Sequence, residues 1–130
     1  MILQTTLSLA AAAAIINFWL GIRIGRLRHE LKISIGHGGN ESLQRRMRAQ
    51  LNFAEHVPLV LILIGLIEMT GKGGAWLAPV GAAYMLSRVF HAFGMDGGSR
   101  EWGRMIGTLV NMLATLGFAV VAVLIALGRM

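Results

Sequence analysis

Residues 1–22, MILQTTLSLAAAAAIINFWLGI, contain no ionisable side chain, and neither do residues 105–128, MIGTLVNMLATLGFAVVAVLIALG. Each run exceeds the roughly 20 apolar residues that cross a bilayer core. No Lys or Arg precedes the first run, as the start of a signal peptide would require, so it reads as a retained spanning helix. Two further apolar stretches lie between these runs. Residues 49–67 are interrupted by Glu55 and His56, and residues 73–95 by Arg88 and His91. The pattern predicts an all-α membrane protein, a single domain over residues 1–130. Its four-transmembrane-helix bundle would have helices near 1–24, 46–70, 74–95 and 103–128.

Composition agrees. Of the 130 residues 55% are hydrophobic and 14% charged, against about 25% charged in soluble domains. So few polar groups cannot cover the large relative surface of a small soluble domain, and so apolar a chain does not stay disordered. With no cysteine, the chain has no disulfides, no thiol nucleophile and no Cys-based metal site of its own. No Ser–His–Asp pattern is present. The His residues lack a second carboxylate–His pair at ligand spacing, so no metal is expected. The stretch at 36–40, GHGGN, lacks the strand and the Lys of a phosphate-binding loop.

The net charge of +6 is placed unevenly. Ten of the twelve basic residues lie on or beside the first and third connections; only Lys72 and Arg129 lie elsewhere. Cytoplasmic loops carry the excess of Lys and Arg, so both termini should lie on the outer face of the membrane. The partners of this charge should be anionic lipids and small ligands, with no nucleic acid.

Polar residues continue from these loops into the helices. Arg48, Asn52, Glu55 and His56 fall at i, i+4, i+7 and i+8, one face of a helix turning about 100° per residue, while Gln50 points nearly opposite. Tyr84, Arg88, His91 and Met95 share a face of the third helix, and Arg104, Thr108, Asn111 and Thr115 one of the fourth. The three stripes should converge on a polar pocket. An ionisable group at membrane depth is costly enough to mark a functional site, although Glu55 pairing with Arg48 or Arg88 as interhelical glue is an alternative. Several Arg, one carboxylate and one amide suit a small zwitterionic anion. Glutathione is one such molecule: Arg can clamp its two carboxylates and Glu55 its ammonium group.

The run Arg48–Ala–Gln50–Leu–Asn52–Phe–Ala–Glu55, followed by Pro58, resembles the second helix of the MAPEG family (membrane-associated proteins in eicosanoid and glutathione metabolism). Arg88–Val–Phe–His91, then Arg100 and Arg104, is similar to the third and fourth helices of the prostaglandin E synthase branch, and Arg26–Leu–Arg28 fits the end of the first. The resemblance implies a homotrimer in a bacterial inner membrane, with glutathione held between subunits. It implies Arg26, Arg48, Asn52, Glu55, Arg88, His91 and Arg100 as glutathione-binding residues, with Gln50 in support. Arg104 would be the catalytic residue that holds the thiolate. The activity implied is a glutathione S-transferase or glutathione-dependent peroxidase acting on a lipophilic small molecule; the alternative is a non-catalytic membrane scaffold or lipid-binding protein of the same fold. Two positions depart from the pattern: His56 and Met95 stand where relatives carry tyrosines. Gly21 and Gly25, like Gly103 and Gly107, are spaced four apart and are expected at close helix contacts between subunits.

Overall fold

The computed structural model describes residues 2–130. It is helical, with α1 at Gln4–Leu31, α2 at Glu41–Met69, α3 at Leu77–Met95 and α4 at Trp102–Ala126, and a 3₁₀ turn at Gly98–Arg100 leads into α4. No strand occurs among the described residues. α2 and α3 each pack against all three other helices, while α1 and α4 have no close backbone approach to one another. The core is a seam of Leu9 and Leu20 from α1, Phe53, Val57 and Ile64 from α2, Leu77, Tyr84 and Met85 from α3, and Phe118 from α4.

Most of the remaining apolar side chains point outward. Phe18 on α1, Ile62 and Leu66 on α2, and Met105, Leu113 and Leu116 on α4 are all exposed on the single chain. Soluble monomers do not carry continuous apolar faces of this extent, and such faces suit a lipid surrounding. α1, α2 and the stretch Gly98–Ala126 are each long and apolar enough to cross a membrane. α3 has 19 residues and buries Ser87, Arg88 and His91 inside the bundle. At ~1.5 Å per residue it is about as long as a bilayer core is thick.

The helices extend beyond the expected bounds at the basic end. α1 continues to Leu31, and α2 begins at Glu41 because Asn40 caps it, its Oδ1 accepting from the backbone N–H of Leu43 at 2.9 Å. The turn-rich centre is thereby compressed into residues 32–40, where Lys32 ends α1 in the left-handed region and Gly36, Gly38 and Gly39 also have positive φ. At the other end, Glu68 near the end of α2 accepts from the backbone N–H groups of Thr5 and Thr6 at 2.8 and 2.9 Å. This closes the first turn of α1, where free donors and the helix dipole favour a carboxylate.

The Gly103–Gly107 spacing serves a close contact within the chain. A Cβ on Gly103 would stand 2.3 Å from the carbonyl oxygen of Phe90, and one on Gly107 would stand 2.4 Å from Cβ of His91. Gly21 faces Gln50 of α2, and only Gly25 has nothing within 4 Å. α3 and α4 need this close approach because Gly94 adds a third such contact on the opposing helix.

Candidate functional site

The three polar stripes meet at the basic end of the bundle. Arg48, Asn52 and Glu55 from α2, His91 and Met95 from α3, and Arg104 and Thr108 from α4 line one cavity of about 170 Å³. The close α3–α4 packing at Gly94, Gly103 and Gly107 sets His91 and Arg104 against the same space. Arg48, Glu55 and Arg104 are exposed on the surface of the single chain, Asn52 is half-buried and His91 is buried.

Arg88 takes a different place from the one expected of a ligand contact. It is 2% exposed, does not line the cavity, and donates from Nη2 to Oδ1 of Asn52. Its Nε and Nη1 are buried without a partner. Glu55 joins no ion pair: among the described residues these are Arg23 with Asp96, at 2.5 Å, and Arg45 with Glu41, at 3.0 Å. Within the single chain, then, Glu55 is paired with neither Arg48 nor Arg88. Tyr84 and Asn111 do act as glue. The Tyr84 hydroxyl donates to Asn111 Oδ1 at 2.8 Å, tying α3 to α4 deeper in the bundle.

Three expected site residues lie apart from the cavity in a single chain. Arg26 is exposed on α1. Arg100 rests its guanidinium 5.1 Å from the centre of the Phe93 ring. Gln50 donates to Asn17 Oδ1 at 3.4 Å and lines a groove between α1 and α2 that shares Arg48 with the cavity.

A cluster beside the cavity escaped the sequence reading, which took its cations as topology signals. Arg23 of α1 grips Asp96 at the end of α3 and lies over the rings of Trp19 and Phe93. Arg45 donates to the carbonyl of Met95 at 3.3 Å, and Arg46 to that of Arg23 at 2.8 Å. These contacts bring the C-terminal ends of α1 and α3 and the start of α2 together at one end, and they hold Met95, which lines the cavity. The available signal was the spacing: Trp19 and Arg23 are one turn apart, as are Phe93 and Asp96.

A second, shallower groove of about 670 Å³ runs along α4 over Trp102, Met105, Leu109 and Met112, and it shares Arg104 and Thr108 with the polar cavity. A cationic polar site with one unpaired carboxylate thus borders an apolar trough along α4.

This helical, lipid-facing architecture with an arginine-rich cavity at one end is that of an integral membrane protein. The MAPEG family model matches residues 6–124, and the chain belongs to the MAPEG family. It is similar to the inner membrane protein YecN of Escherichia coli strain K12, with 26% identity over 96 residues that cover 73% of this chain and 72% of that protein. YecN of Escherichia coli O6:H1 matches to the same extent.

Proposed function

We propose that the chain is a membrane glutathione S-transferase or glutathione-dependent peroxidase acting on lipophilic electrophiles in a bacterial inner membrane, with both termini on the outer side. The observation that carries this reading is the cavity itself. Three helices contribute Arg48, Asn52, Glu55, His91 and Arg104 to one space, and Glu55 has no cationic partner there. An unpaired carboxylate among arginines is matched by a ligand bearing more than one carboxylate and one ammonium group. Bound there, glutathione supplies the thiol that this cysteine-free chain lacks.

In this reading Glu55 accepts from the ligand ammonium, and Arg48 holds a carboxylate by paired N–H donors. Arg104 stands at the junction of the polar cavity and the apolar groove. A guanidinium there stabilises negative charge on sulfur and so favours ionisation of the thiol at neutral pH. The groove along α4, within the roughly 300–1,000 Å³ range of small-molecule sites, receives the lipophilic partner laterally from the bilayer. Holding thiolate and electrophile side by side supplies much of the rate gain.

The size of the cavity also supports a homotrimer. At about 170 Å³ it is smaller than the usual ligand site, and Arg48, Glu55 and Arg104 are exposed on one chain. A neighbouring subunit would wall the site, and Arg26, exposed on α1, would be available to that neighbour.

The test is rapid mixing of purified protein with glutathione while thiolate absorbance is followed, together with the mass of the complex in mild detergent. A thiolate signal from a trimer is expected. Absence of both glutathione binding and thiolate signal in a folded trimer would leave a scaffold function, and a monomer that retains activity would remove the shared site.

A further inference from the structure

We propose that Arg88 is a positioning residue: it holds the side-chain amide of Asn52 in one orientation, so that Asn52 Nδ2 faces the cavity as a hydrogen-bond donor to a ligand carboxylate. The ligand in this proposal rests on the glutathione reading above; the orientation rests on geometry alone.

A guanidinium carries five N–H donors and no acceptor. Arg88 Nη2 meets Asn52 Oδ1, so the oxygen of the amide has to be the atom turned toward α3. The flipped amide would set donor against donor. Asn52 lines the cavity and Arg88 does not, so fixing Oδ1 toward Arg88 leaves Nδ2 on the cavity side. The orientation is strongly determined. Arg88 is 2% exposed, its Nε and Nη1 have no partner, and Asn52 Oδ1 is the acceptor it reaches. Removing that acceptor would leave a buried cation with no hydrogen-bond partner, a costly arrangement.

The direction of the amide decides what the cavity recognises. With Nδ2 inward, Asn52 joins Arg48 and Arg104 as a donor, against the single carboxylate of Glu55. A neutral donor adds affinity for a carboxylate without placing a further charge at membrane depth. Arg88 thus shapes specificity from behind Asn52, one turn of α3 away from His91, without touching the ligand.

The test uses the full-length protein in detergent with glutathione as the probe, comparing Asn52→Asp, Asn52→Leu and Arg88→Met. Asp keeps an oxygen for Arg88 and also neutralises it, so Asn52→Asp should melt at or above the wild-type temperature. Asn52→Leu should melt below it. The advantage of Asp over Asn should vanish in the Arg88→Met background, because it comes from that pair. Glutathione affinity of the well-folded Asn52→Asp protein should nevertheless fall by roughly tenfold or more, since a donor is replaced by a second negative charge facing the ligand carboxylate.

If Asn52→Asp melts as low as Asn52→Leu, or its effect is unchanged in Arg88→Met, the orientation is wrong. If it folds well and binds glutathione within about twofold of wild type, the donor role is wrong and the contact is interhelical glue. A wild-type protein that binds no glutathione overturns the glutathione reading and the donor role with it, while the melting comparison still decides the orientation.

Discussion

Gly94 of α3 lies so close to Arg104 of α4 that a Cβ built on the glycine would stand 1.9 Å from the arginine backbone nitrogen. No side-chain adjustment relieves a clash with backbone, so the helices would have to separate at the point where His91 and Arg104 face the cavity. Gly94→Ala is therefore expected to destabilise the bundle by about 1–3 kcal/mol or more, as overpacking does. It should lower glutathione binding in whatever fraction still folds. Gly117→Ala, on the same α4 but with nothing within 4 Å, is the control and should be neutral or stabilising by up to about 1 kcal/mol. Thermal melts of the two variants in detergent check both.

Glu55→Gln should fold as wild type and bind glutathione about tenfold or more weakly. The carboxylate has no ion pair to lose inside the chain. A hydrogen bond from a charged group contributes about 1.5–3 kcal/mol, and each 1.4 kcal/mol is a factor of ten in affinity. Calorimetric titration beside a thermal melt separates ligand binding from folding. A variant that fails to assemble would return Glu55 to a structural role.

Arg104→Ala should abolish the thiolate absorbance and slow conjugation while leaving glutathione affinity within about tenfold, because the carboxylate clamp lies on α2 and the sulfur contact on α4. Rapid mixing reads the first effect and titration the second. Retention of the full thiolate signal would remove Arg104 from the chemistry.

Glu68→Ala should cost about 1–2 kcal/mol of stability and leave glutathione binding unchanged. Glu68 closes the N-terminal turn of α1 through Thr5 and Thr6, at the end of the bundle away from the cavity. Melting temperature and binding affinity, measured on one preparation, distinguish this site from Glu55.

Reporter fusions at either terminus should report the outer face. Ten of the twelve cations gather at the end of the bundle where Arg23 meets Asp96, and that end should be cytoplasmic. A cytoplasmic C-terminus would refute this topology.

The sequence by itself determined the membrane class, the number and order of the helices, and which faces of α2, α3 and α4 are polar. These are local properties. Charge-free runs such as 105–128 read directly as spans, and the helical period alone sets Arg48, Asn52 and Glu55 on one face and Gln50 on the other. The end of the chain's long basic segment was less legible, because helix caps such as Asn40 compete with glycines for the boundary. Tertiary structure alone decided what each polar group touches. Periodicity placed Arg88 on the stripe but could not show that its guanidinium is spent on Asn52 or that Glu55 is left unpaired. It could not assign Gly103 and Gly107 to α3 rather than to another subunit, nor bring Arg23 of the first helix onto Asp96 of the third. Those outcomes depend on distances between helices far apart in the chain, set by where small residues permit approach and by where a buried donor finds its acceptor.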